Sequence, residues 1–148
     1  MPESPPSWPA YARVPPFLAV PLRPRADGWT PERQARFIGL LAETGSVAEA
    51  ARRVGMSRES AWRLRRRAGA ASFAHAWDAV EALRRGEPVP ERKVTPGELP
   101  GHAFEGPWVV HMRRRRFIRA RREPSNSALL RHLRRLDAAA LRGGWDRS

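Results

Sequence analysis

The chain contains no cysteine. That absence excludes disulfides, thiolate catalysis and cysteine-ligated zinc. Lysine is almost missing as well, with Lys93 the single example among 28 basic residues, and acids number only 15. A bias toward arginine and alanine explains arginine over lysine. It does not explain the excess of bases over acids, nor their clustering. No apolar run is long enough to span a bilayer. The opening "MPESPPSWPAYARVPPF" has no basic stretch followed by a clean apolar core, so it does not read as a secretion signal. His75, His102, His111 and His132 are scattered without ligand spacing to each other or to a carboxylate, so no metal site is expected. "GHAFEG" does not fit a phosphate-cradling loop. Asp78 and Glu81 stand one helical turn apart, as surface charges usually do. No Ser/His/acid arrangement can be argued. The expectation is a cytoplasmic, nucleoid-associated protein that is not an enzyme and has no cofactor.

What is present is positive charge. The formal net charge is +13 over 148 residues. A chain of this length makes one compact domain with tails. Its charge favours polyanions, in the order nucleic acid, acidic membrane, acidic protein.

Proline crowds residues 1–28. Each proline fixes φ, lacks an N–H and pushes its predecessor toward extended geometry. This predicts an extended, disordered arm. The alternative is an arm docked along the folded part through Phe17, Val20 and Leu22.

Residues 29–85 read as a helical domain, and the fold class is mainly α. Thr30 is a fitting N-cap, with Pro31 at the first helical position. Phe37, Leu40 and Leu41 form an apolar face, and Thr44-Gly45 ends the first helix. Ser46 caps a second helix, and Glu49 three residues later predicts a capping box. Val47, Ala50, Ala51 and Val54 form its inner face, and Gly55 ends it. Ser57 caps a third helix through about Arg67, with Ala61 and Leu64 inward and Gly69 after it. A fourth runs from about Ser72 to Arg85, with Phe73, Ala76, Trp77, Val80 and Leu83 on one stripe.

Residues 86–107 read as a linker. Residues 108–142 form an arginine-rich basic segment. Within it, Trp108–Met112 and Phe117–Ala120 predict a short β-hairpin around an arginine run, though no Asn-Gly turn supports it. Asn126 or Ser127 caps a last helix with the stripe Leu129, Leu130, Leu133, Leu136 and Leu141.

The stretch "SVAEAARRVGMSRESAWRLRRR" carries the functional signal. A helix-turn-helix needs a small residue in mid-helix at the crossing, here Ala51. It needs a glycine four residues later where the chain turns left-handed, here Gly55. Ala50, Val54, Met56, Ala61 and Leu64 fill the inward positions. The outward side of the third helix then faces a major groove with Ser57, Arg58, Glu59, Trp62, Arg63 and Arg66. Arginine can pair with guanine O6 and N7, glutamate can accept from cytosine N4, and Ser57 at a helix N-terminus can meet phosphate. Trp62 either half-packs against the first helix or touches sugar and thymine methyl. Arg52, Arg53, Arg65 and Arg67 are expected on the DNA backbone.

At these residues a resemblance appears. "DGWTPERQARFIGLLAETGSVAEAARRVGMSRESAWRLRRR…ASFAHAWDAV", about residues 25–85, resembles the helix-turn-helix domain of phage terminase small subunits. It is also similar to a group of related bacterial helix-turn-helix DNA-binding proteins. The resemblance implies a trihelical, homeodomain-like fold, with Arg58, Glu59, Trp62 and Arg63 on the recognition helix. Such proteins often carry tyrosine where this chain has Trp62. Terminase small subunits use their C-terminal part to form a ring and engage the large subunit. Here that part is short and dominated by arginine.

Arg113, Arg114, Arg115 and Arg116 begin a second basic cluster, continued by Arg119, Arg121, Arg122, Arg131, Arg134 and Arg135. Like charges so dense repel unless an anion neutralises them, and phosphate is the natural partner. The leucine stripe, Leu129, Leu130, Leu133 and Leu136 above all, offers a homo-oligomer surface. The leading expectation is a DNA-binding transcriptional regulator. A terminase small subunit or domesticated relative is the alternative, and an RNA-binding factor the third.

Overall fold

Local chemistry sets the helix ends. The computed structural model describes residues 13–23, 25–124 and 126–144. Helix α1, Pro31–Thr44, starts where Thr30 Oγ1 accepts from the Arg33 N–H at 3.2 Å, and it stops where the Gly45 N–H reaches the Leu41 carbonyl at 2.8 Å. Helix α2, Val47–Arg53, is capped by Ser46 Oγ, which accepts from the Glu49 N–H at 3.2 Å. The expected reciprocal half of the capping box is not made. The Ser46 N–H donates to Thr44 Oγ1 instead, and the Glu49 carboxylate turns to Arg52 and Arg53.

Gly55 has φ 77° and closes α2. The Met56 N–H reaches the Ala51 carbonyl at 2.9 Å and the Gly55 N–H reaches that of Arg52 at 3.0 Å. These are the paired bonds of a Schellman end. Nothing lies within 4 Å of where a Gly55 Cβ would sit. Backbone conformation, not crowding, therefore calls for glycine here. Helix α3, Arg58–Arg65, is capped by Ser57 Oγ at 3.1 Å from the Ser60 nitrogen. It ends before Arg66 and Arg67, earlier than expected, because the chain there turns toward Gly69 at φ 82°. Helix α4 is Ala71–Arg85.

The described residues are about half helical, with five α-helices and a two-stranded antiparallel sheet, a mainly α architecture as the patterning predicts. Helix α1 is its centre: α2, α4 and both strands pack on it. The core is aromatic. The Phe37 ring lies 5.4 Å from Trp29, 5.0 Å from Trp77 and 6.1 Å from Phe73. Such contacts each add on the order of 1 kcal/mol beyond the area they bury. The predicted inward residues Ala50, Ala51, Ala61 and Leu64 are buried with them.

The described part of the proline-rich arm corrects the expectation of disorder. Val14, Phe17 and Val20 are buried, and Leu22 is half-buried against the core. Two side chains clip the arm's backbone. Gln34, wholly buried, accepts from the Val20 N–H at 2.7 Å and donates to the carbonyls of Val20 and Trp29 at 3.1 and 3.0 Å. Ser72 Oγ accepts from the Leu18 N–H at 2.8 Å. Phe17 exchanges two backbone bonds with Trp108 at 3.2 and 2.8 Å. Prolines supply no donors, so this arm docks through the N–H groups between them. Residues 1–12 of the expected disordered arm lie outside the described residues.

The expected linker, residues 86–107, is also part of the fold. The His75 ring nitrogen lies 2.6 Å from the Pro90 carbonyl, and Arg92 pairs with Glu98. A one-turn π-helix, Gly101–Glu105, follows. Leu99 and Ala103 are buried against Ala128 of helix α5, Asn126–Gly144. Asn126 already lies inside α5, so neither it nor Ser127 is the cap.

Strands β1, Trp108–Arg113, and β2, Arg116–Arg122, form the predicted hairpin. They belong to the main core and not to a separate segment, because both strands pack on α1 and Trp108 and Val110 are buried in the core cluster. Met112 opposes Phe117, and His111 opposes Arg119, leaving Ile118 as an unpaired bulge. The bulge changes the parity of β2, so that Phe117 and Ala120 both turn to the core. No helix among the described residues is long and apolar enough to cross a membrane.

Candidate nucleic-acid interface

Helix α3 is eight residues long, about 12 Å at 1.5 Å per residue. Its inner side is held firmly. The Trp62 ring lies 4.8 Å from that of Trp77. The Arg65 guanidinium sits over both rings, 5.6 and 4.9 Å from their centroids, and bonds the Asp78 carboxylate at 3.0 and 3.3 Å. Trp62 thus half-packs, as one of its two expected roles allows, with its ring on Trp77 of α4. The end of α3 nearer its cap is tied down by Ser60, whose Oγ accepts from Trp29 Nε1 at 3.1 Å and donates to the Ser57 carbonyl at 2.7 Å.

The outer side is free. Arg58, Glu59 and Arg63 are exposed on α3, and Arg66 and Arg67 are exposed just beyond it. Their side chains make no hydrogen bond or ion pair with the described residues. Ser57 is exposed too, though its hydroxyl already serves as the cap. Five of the residues expected at a groove thus lie together, and Trp62 is their backing.

The expected backbone contacts divide. Arg65 belongs to the α3–α4 packing just described. Arg52 bonds both carboxylate oxygens of Glu49, at 2.6 and 2.8 Å. Arg53 bonds Glu49 at 3.1 Å and Glu43 at 2.9 Å. Bonding from Arg52, and then from Arg53, holds the Glu49 carboxyl below the usual carboxylate range. A phosphate must compete with these acids for Arg52 and Arg53. Arg67 and the run Arg113, Arg114, Arg115 and Arg116 are exposed.

That run forms the hairpin tip. Arg114 and Arg115 have φ 51° and 66°, so both central residues are left-handed. A two-residue turn of this kind suits Asn-Gly. For a side chain larger than glycine it costs about 1–2 kcal/mol per residue. Among the described residues, no hydrogen bond or ion pair of the Arg114 side chain offsets the cost.

Glu43 connects the tip to α2. One carboxylate oxygen accepts from the Phe117 N–H at 3.0 Å; the other accepts from Arg53. The Phe117 ring lies against Gly39 of α1, where a Cβ would stand 2.8 Å from its Cγ. Sequence reasoning missed Glu43, Gln34 and Ser60. Two left a signal. Glu43 is an acid in the last turn of a helix, against the dipole. Gln34 is a polar residue three before Phe37 and seven before Leu41, on the buried stripe.

Helix α5 adds Arg131, Arg134 and Arg135, all exposed. Leu129 is half-buried against Leu99 and Ala103, whereas Leu130, Leu133, Leu136 and Leu141 are exposed.

No family model matches the chain, and no curated protein or solved structure is significantly similar to it. The resemblance to terminase small subunits stands on the quoted residues alone.

Proposed function

We propose that this protein binds double-stranded DNA through a helix-turn-helix formed by α2 and α3, with α3 in the major groove. The carrying observation is the outer face of α3 and its C-terminal end: Arg58 and Arg63 on the helix and Arg66 just beyond it are exposed and make no hydrogen bond or ion pair with the described residues, and the helix is fixed from behind by Trp62, Arg65 and Asp78. An α-helix with its side chains is about 10–12 Å across, which suits a groove about 12 Å wide. Glu59 beside the arginines provides an acceptor for cytosine N4. The arginines of the C-terminal part add phosphate contacts and a steep salt dependence. For a binder of this kind, transcriptional regulation is the simplest role.

A DNA-packaging recognition component is the second reading. The exposed leucines of α5 favour it, since such a component needs a surface for assembly with further copies through Leu130, Leu133 and Leu136. Light scattering separates the two: a monomer or dimer fits a regulator, a larger closed ring fits packaging.

The test of DNA binding is selection from a random duplex pool at about 50 and 200 mM salt, the range in which phosphate-dominated binding collapses. Wild type should enrich a motif. Arg58→Ala/Arg63→Ala should lose the enrichment and still bind at low salt. Equal, unselective binding by both proteins would sink the assignment of α3.

A further inference from the structure

We infer that the tip of the β1–β2 hairpin enters the minor groove of the same duplex, and that Arg114 and Arg115 favour A·T-rich sequence there. This rests on the reading of α3 as the major-groove helix and deepens it. It assigns to the tip a recognition role beyond phosphate contact.

Three observations converge. The first is backbone strain at the turn, which the Arg114 side chain does not offset. Both central residues are left-handed arginines at a turn that glycine and asparagine make with ease. The Arg114 side chain has no partner among the described residues. A strained, exposed, charged turn is what a contact outside the fold would maintain.

The second is placement. Glu43 grips the Phe117 N–H with one oxygen and Arg53 with the other. Arg53 is the last residue of α2, and the turn through Gly55 leads from it directly to α3. Strand residues advance about 3.3 Å each, so Arg114 and Arg115 lie within about 10 Å of this latch. The tip is therefore carried by the same rigid frame as the start of α3. Glu43 and Gly39 act as positioning residues for it.

The third is shape and charge. The tip is a two-residue turn on a two-stranded ribbon, flanked by the exposed Arg113 and Arg116. The minor groove is about 6 Å wide and narrows further in A·T tracts, where its negative potential draws arginine. Guanidinia at a narrow tip fit that groove, whereas a broad basic face would track phosphates.

The test uses full-length protein and duplexes carrying the selected motif, with flanks either A·T-rich or G·C-rich. The informative variant is Arg114→Asn/Arg115→Gly. It installs the turn chemistry that the backbone prefers, so the hairpin persists and thermal stability holds or rises. Binding to the A·T-flanked duplex should weaken about tenfold or more, as loss of arginine base contacts does. Binding to the G·C-flanked duplex should change much less. Netropsin, which occupies A·T minor grooves, should compete with wild type and not with the variant. Arg134→Ala/Arg135→Ala on α5 controls for lost charge and should weaken both duplexes alike.

Equal weakening on both flanks would place the tip on phosphates and overturn the minor-groove assignment. No weakening on either would also overturn it, while the α3 reading survives through Arg58→Ala/Arg63→Ala. If wild type selects no motif, the α3 reading fails and this inference falls with it.

Discussion

Helix α3 and the β1–β2 hairpin both offer arginine to solvent, and they are held by opposite means. Behind α3 stands an aromatic wall: Trp62 on Trp77, with Arg65 laid over both and tied to Asp78. Its charged face is an ordinary helix surface in a relaxed conformation. The hairpin is backed by Trp108 and Val110 in the core and by Phe117 on Gly39, and one carboxylate grips the Phe117 N–H. Its charged tip is conformationally strained. Charge density alone does not distinguish the two. What distinguishes them is whether the backbone that carries the charge would be there without a partner.

The comparison can be broken at three points. Trp77→Ala should have the largest effect, a loss of about 3–5 kcal/mol of stability, as removal of a buried aromatic costs. Chemical denaturation measures it. Hydrogen exchange should rise in α3 before it rises in β1 and β2. A hairpin that opens first would mean that the aromatic wall does not serve α3 in particular.

Gly39→Ala comes next, at about 1–3 kcal/mol, the usual cost of overpacking. The added methyl displaces Phe117, so protection should fall in β1 and β2 and persist in α2 and α3. Uniform loss across both regions would show that the hairpin and the helices open as one unit. Gly55→Ala should be the mildest, about 1–2 kcal/mol, because only the left-handed backbone resists it and the space is open. A thermal melt that does not move would show that the α2–α3 turn tolerates a side chain.

Much of the helical part was legible. Thr30, Ser46 and Ser57 announce their helices by a hydroxyl before an apolar period, and each is found capping through its side-chain oxygen. Gly55 was legible because only glycine takes a left-handed turn without cost. The exposed residues of the candidate site, Arg58, Glu59, Arg63 and Arg66, follow from the same period. The capping box failed because two arginines compete for Glu49 more strongly than one backbone N–H does. That Arg53 meets Glu43 and Arg65 meets Asp78 was not legible, because a spacing rule shows where a charge lies on a helix and not which acid from another element meets it. The bulge at Ile118 hid the strand pattern of β2, since one extra residue exchanges inward and outward positions.

The sequence by itself determined the helices α1–α4, the caps of the first three, the turn at Gly55 and the surplus of positive charge. These are local properties, written in hydroxyls, glycines and a period of apolar residues within a few turns. Only the tertiary structure decided that the proline-rich arm docks, that Gln34 and Ser72 clip it, and that Glu43 joins the hairpin to α2. It alone decided which arginines remain free. Those outcomes depend on partners far apart in the chain, such as Phe117 on Gly39 or Arg65 on Asp78. No local pattern specifies such pairs, because each forms only once the other elements have been packed into place.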